Sequence, residues 1–194
     1  MMKLNKYVCY PGKHIFQLHG KTIEIPALKR NPSQINWKVR VSDLRYTLPY
    51  PDNHDINKGG GISFDLFTNH IDSVMWGWRY WEQGDVVQFF NYCHVDGVQV
   101  DGIGQLPLVR PNDPEVCLEV PHDSNAVVSI SLKVNTVNKT YGMSFTIDGS
   151  SYAQYTEVPF THDKCLARTI GAWFGGNNVA SRRLEMYIGR SIAK

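Results

Sequence analysis

The sequence predicts an all-β chain folded as an antiparallel two-sheet β-sandwich, and three observations predict it. Short apolar or alternating runs recur from Lys13 to Ile188, with turn residues about every 8 to 12 positions, the spacing of a sandwich or barrel. Runs with the 3.6-residue period of an amphipathic helix are nearly absent. The tract from Met75 to Cys93, MWGWRYWEQGDVVQFFNYC, reads as two aromatic-rich strands joined around Gly84.

In chain order, Lys13 to Leu18 and Thr22 to Ile25 flank His19-Gly20 and predict an opening hairpin, closed by Pro26 and Pro32. Trp37 to Val41 alternates Trp37, Val39 and Val41 with Lys38 and Arg40, the period of a half-buried strand. Leu48 to Gly61, LPYPDNHDINKGGG, is turn chemistry throughout and predicts one long loop. Strands are expected at Ile62 to Phe67, Val74 to Trp81, Val86 to Cys93, Val95 to Val100 and Val116 to Val120, with room for a helical turn around Phe67 to Ile71. The second half continues with Val127 to Val137, Tyr141 to Ile147, Ser151 to Val158, Arg168 to Phe174 and Leu184 to Ile188.

The totals agree with one sizeable core. A chain of 194 residues, 42% apolar and 12% aromatic, is too hydrophobic for the disordered class and long enough for one sandwich domain spanning 1–194. No repeat or linker marks a boundary, and residues 1 to about 12 read as an N-terminal arm. The net charge of +2, with Lys and Arg dispersed, gives no field to gather phosphates or anionic lipid, so neither nucleic acid nor membrane is expected as a partner. The start MMKLNKYVCYPGKHIF lacks a continuous apolar h-region, which predicts synthesis in a reducing cytoplasm. The four cysteines at 9, 93, 117 and 165 stand too far apart for a CxxC site and are expected as buried free thiols.

No cofactor and no metal are expected. Asp52, Asn53, Asp55 and Asn57 are hard oxygen ligands in one short run, yet the EF-hand pattern fails, with no Gly at its sixth place and Ser63 where its glutamate belongs. The seven histidines share no HxH or HExxH spacing. P-loop, GxGxxG and GxSxG motifs are all missing.

Both faces of Val74 to Trp81 are aromatic, which allows one to be core and the other a working surface. If Arg79, Trp81 and Asn91 share an exposed concave sheet, flat rings could stack on sugar C–H faces while planar polar groups take hydroxyls. The alternative is that these rings fill the sandwich core and Arg79 reaches its rim by the aliphatic stem. Likewise Asn177 and Asn178, at the end of Trp173-Phe174-Gly175-Gly176, offer amides to a glycan or serve only a glycine-permitted turn.

At GWRY, FFNYCHVDG and WFGGNNVA, over roughly residues 62 to 190, the chain resembles concanavalin-like jelly-roll domains, the sandwich of many lectins, glucanases and alginate-type polysaccharide lyases. The WFGGNN stretch before a final strand is similar to small sandwich proteins of gut Bacteroidetes and their bacteriophages. The lyase likeness implies Arg79 on an Arg-rich strand and Tyr141 or Tyr152 on a Tyr-rich one. The Gln-x-His strand of those lyases is missing, since Gln88 and His94 stand six apart.

Three functional expectations follow. The first is a non-enzymatic component of a larger assembly, of the bacteriophage virion accessory or decoration kind, located in the virion or in the host cytoplasm during assembly. Its contact with other protein chains, capsid or tail, is expected at Leu4, Tyr7, Val8 and Tyr10, because no alternation commits the arm to the sandwich. The second is a carbohydrate-binding, lectin-like module, and the third a polysaccharide lyase-like enzyme.

Overall fold

A computed structural model describes residues 2–19, 26–47, 56–100, 117–150, 153–175 and 178–193. In chain order these form β1 (Asn5–Cys9), β2 (Gln17–Leu18), β3 (Leu28–Arg30), β4 (Gln34–Asp43), β5 (Asn57–Ser63), β6 (Ser73–Trp81), β7 (Val86–Val95), β8 (Val98–Gln99), β9 (Leu118–Pro121), β10 (Val127–Asn135), β11 (Thr140–Ile147), β12 (Ala153–Pro159), β13 (Leu166–Ile170) and β14 (Leu184–Ala193). They pair antiparallel into two seven-stranded sheets. Sheet A runs β12-β11-β10-β4-β14-β1-β2, and sheet B runs β3-β13-β5-β6-β7-β8, with β9 also paired to β7. The chain is thus an all-β, antiparallel two-sheet sandwich.

Period-two patterning explains which faces meet. In β4, Ile35, Trp37, Val39 and Val41 are buried while Asn36, Lys38 and Arg40 are not. They join Val128, Ile130, Leu132 and Val134 of β10 and, from the other sheet, Val74, Trp76 and Trp78 of β6 and Phe89 of β7 in one buried cluster. Each such side chain removed from water contributes roughly 1.5–3 kcal/mol, so this cluster holds the sheets together. Trp78 is crossed edge-on by Phe16 and Tyr46, the quadrupole-preferred arrangement.

The structure corrects several expectations. The segment expected as an arm is β1, paired with Leu184–Ile188 on one side and Gln17–Leu18 on the other. Its irregular pattern hides a strand because Val8 and Cys9 are both fully buried while Tyr7 packs against the core. The run from Leu48 to Gly61 divides, since residues 48–55 lie outside the described residues and Asn57 to Gly61 belong to β5. There the register slips between Lys58 and Gly60, a bulge. A Cβ on Gly59 would stand 1.8 Å from the Trp76 ring, and one on Gly61 2.2 Å from the Val74 carbonyl oxygen. Glycines at Gly59 and Gly61 therefore serve close approach rather than a loop.

Phe67 to Ile71 forms bends rather than a helical turn, and a 3-10 turn occupies Glu82–Gly84 instead. The expected strand at Val95 to Val100 shrinks to β8, and β3 was invisible as the short run Leu28–Arg30. The expected strand Thr22 to Ile25 lies outside the described residues. Cys9, Cys93 and Cys117 are buried thiols outside any disulfide, whereas the Cys165 thiol is exposed.

Candidate functional site

Pairing within sheet B decides which side chains can work together. Trp81 pairs with Val86 and Arg79 with Gln88, so Trp76 faces Asn91. Side chains directly opposite share a face, which puts Arg79, Trp81, Gln88 and Phe90 on the outer face and Asn91 on the inner one. The expected trio is therefore not brought together. Asn91 is buried beside Trp76, its Oδ1 accepting from Cys93 Sγ at 3.1 Å.

Arg79 is buried as well, although it lies on the outer face. Its guanidinium carbon sits 4.8 Å from the Trp81 ring centre and 5.2 Å from that of Phe90. Nε donates to Gln88 Oε1 at 2.6 Å, and Gln88 Nε2 donates to Glu119 Oε1 at 2.6 Å. Burial pushes the guanidinium pKa down, and neighbouring groups including Glu119 pull it back up. Phe90 and Cys117 form a small second apolar cluster with Ile56 at this end of the sheet. Arg79 is a structural cation, and this end of the face is closed.

The other end is open. A groove of about 740 Å³ lies over β13 and β5, within the size range of small-ligand sites. Trp173, Phe67, Lys58, Arg168, Asn69 and His70 give it its chemistry. Arg168 and Ile170 share the outer face of β13, as their pairing with Ser63 and Gly61 of β5 requires. Lys58 reaches it from the bulged strand, its ammonium 5.8 Å from the Tyr92 ring centre.

The groove walls are fixed before any ligand arrives. Trp173 is 36% exposed, yet its backbone N–H donates to the Lys58 carbonyl at 2.6 Å and its ring stacks on His14 at 5.3 Å and 14°. Phe174 N–H donates to the His14 carbonyl at 2.6 Å, and Gly175 N–H donates to Asn57 Oδ1. Asn57 is fully buried and also donates to the Tyr46 hydroxyl at 2.9 Å, so the residue considered as a metal ligand is a structural clamp. The loop carrying Phe67 to His70 is tied likewise. Ser63 Oγ donates to the Thr68 carbonyl at 2.7 Å, Ser73 Oγ to the Asn69 carbonyl at 2.6 Å, and Arg168 Nε to the Asp65 carbonyl at 3.0 Å. Arg168 also donates to Asn69 Oδ1. Below the loop, Lys164 bridges Asp65 at 3.0 Å and Asp72 at 2.6 Å. Despite its burial, Asp72 is held below the ordinary carboxylate range by Lys164 and by the Asp96 backbone N–H.

The remaining expected site residues lie elsewhere. Asn177 falls outside the described residues, and Asn178 is half-buried at the turn made by Gly175, whose φ of 68° and contact with the Asn178 carbonyl demand glycine. Asp52, Asn53, Asp55 and Tyr152 are also outside. Tyr141 is fully buried in the main core, hydrogen-bonded to His162, and desolvation raises its hydroxyl pKa. The Arg79 and Tyr141 of the lyase likeness are thus each packed out of reach of a polymer. Of the expected partner contacts, Val8 and Tyr7 are taken by the sheet, Leu4 is half-buried and Tyr10 is 42% exposed. The sequence reading missed Trp173, Phe67, Lys58 and Arg168. The Trp173-Phe174 pair was in view, and the signal lay in its aromatic ring rather than in the amides that follow.

No protein-family model and no curated protein matches the chain. Among solved structures it is similar to tailspike protein 2 of Escherichia coli O157:H7 bacteriophage CAB120, with TM-score 0.46 and 11% identity over 100% of this chain and 26% of that one. It is also similar to lectin UEA-II complexed with galactose, with TM-score 0.43 and 8% identity over 96% and 93% of the two chains. A third is the Ruminococcus gnavus IT-sialidase CBM40 bound to α2,3 sialyllactose, with TM-score 0.36 and 10% identity over 85% and 79%. The chain thus spans 26% of the tailspike's length.

Proposed function

We propose that this sandwich is a carbohydrate-binding module whose site is the groove over β13 and β5. The observation that carries the reading is Trp173, a large ring kept partly exposed at the groove by backbone hydrogen bonds and by the His14 stack. A ring fixed in this way presents a flat apolar surface to a sugar's C–H face at little cost in lost rotamer freedom. Asn69, Thr68 and His70 stand in the same groove to take hydroxyls. Preorganised walls on strand ends and a tied loop are what a binding site needs to hold its geometry.

Trp173→Ala should weaken glycan binding by roughly 2 kcal/mol, about thirtyfold in Kd. Isothermal titration with oligosaccharides chosen from a glycan array measures this, and circular dichroism checks that the strand signal persists. Unchanged affinity in Trp173→Ala, or no binding by the native chain to any glycan, would overturn the reading.

A role as an assembly component, of the virion accessory kind, stands behind this one. It is supported by the exposure of Tyr10 at 42% and of nearby Ile15 at 51%. Tyr10→Ser should then abolish recovery of the chain with its particle while leaving it folded, and normal recovery would count against that role.

A further inference from the structure

We infer that the groove selects acidic saccharides, those bearing a carboxylate or a sulfate, over their neutral counterparts. The inference rests on the carbohydrate-binding reading and adds its charge class.

The chain as a whole is nearly neutral at +2, yet the groove is not. Its described lining includes Lys58, Arg168 and His70 and no Asp or Glu. Arg168 is held by the carbonyl oxygen of Asp65 and the amide oxygen of Asn69, and it makes no ion pair among the described residues. The two carboxylates that flank that loop, Asp65 and Asp72, are both spent elsewhere: each accepts from Lys164 Nζ, Asp65 also from the Asp72 N–H and Asp72 from the Asp96 N–H. Burial lowers the Arg168 pKa, with Asp65 opposing, and a guanidinium so placed still stays charged at neutral pH. A half-buried guanidinium bound only to neutral oxygens keeps its attraction for an anion, and the groove walls limit screening by salt. Lys58 adds a second positive charge to the same volume.

Two independent sites of the fold create this polarity. The bulge at Lys58/Gly60 breaks the register just where Lys58 pairs with Gly77 on the outer face. The alternation of β13 sends Arg168 outward while Ala167 and Thr169 are buried inward.

The test uses matched ligand pairs on the full chain: a galacturonate tetramer against its methyl ester, and a sulfated galactan oligomer against its desulfated form. Titration at 50 mM and 500 mM NaCl should show at least a tenfold preference for one or both acids at low salt, reduced severalfold at high salt. The pair that shows it identifies carboxylate or sulfate as the source. Lys58→Gln, whose side chain holds none of the loop bonds named above, should cut the preference severalfold with its melting temperature unchanged. Arg168→Gln should cut it further, with circular dichroism reporting any loss of fold. Equal binding of acid and neutral partners, or a preference that neither salt nor Lys58→Gln alters, overturns the inference while the carbohydrate reading stands. Binding of none of these ligands or of any arrayed glycan overturns both.

Discussion

Arg79 holds a positive charge inside the wall of sheet B, stacked between two rings and linked through Gln88 to Glu119. Removing one partner of such a buried set leaves the others desolvated without compensation. Arg79→Ala should therefore destabilise the chain by on the order of 3–5 kcal/mol, read from urea unfolding, and a loss below 1 kcal/mol would show the charge to be dispensable. Trp173→Ala, by contrast, should leave the unfolding midpoint nearly unchanged, because that ring is outside the main buried cluster. His94 supplies the pH dependence. Burial, with His70 and Lys58 nearby, pushes its pKa down from 6.5 to about 4, so the folded state resists a proton that the unfolded chain accepts. The associated stability is complete above the unfolded value and is lost as pH falls through about 4, on the order of 2–4 kcal/mol in all. Thermal melts between pH 7 and 4 should show a fall that His94→Asn flattens, and parallel curves would refute the assignment. At this scale the sequence exposes residue types but not their company. Arg79 and Asn91 look adjacent in a list of polar residues among rings, yet the turn after Trp81 sets the register, and one residue of slip exchanges the faces.

Strands with clean alternation, such as β4 and β10, are legible because one buried face imposes a period of two. β1 is illegible for the opposite reason: it lies between β14 and β2, with Val8 and Cys9 adjacent in sequence and both buried. Deleting residues 1 to 10 should then remove a paired strand, expose the edge of β14 and take Tyr7 and Cys9 from the core. A drop in melting temperature of roughly 10 °C or more, or insolubility, is expected, and a soluble truncated chain melting like the full one would contradict the pairing. The glycine tract of β5 misreads as a loop because glycine serves turns and close approaches alike. Gly61→Ala places a methyl against backbone at Val74, which cannot step aside as a flexible side chain could. It should lower stability by about 2 kcal/mol or more, measured by the same unfolding assay.

At the scale of the whole molecule, sheet A turns a polar surface outward while sheet B spends its outer face on two tasks. Around Arg79 that face is sealed, and around Trp173 it is open and cationic. The sandwich architecture was legible from aromatic strands and turn spacing, but which end of sheet B stays open depends on contacts made by Ile56, Cys117 and the Phe67 to His70 loop across long stretches of chain. No local pattern encodes such contacts. The most direct measurement of the account is a titration of ¹⁵N-labelled full-length chain with a glycan that it binds, followed residue by residue by NMR. The indole N–H of Trp173 and the amides of Arg168, Ile170, Gly171 and Asn69 should shift in a saturable way, while Arg79 and Trp81 stay still. Shifts confined to Arg79, Trp81 and the Glu82–Gly84 turn would contradict it, placing the site on the end of the sheet that the structure closes.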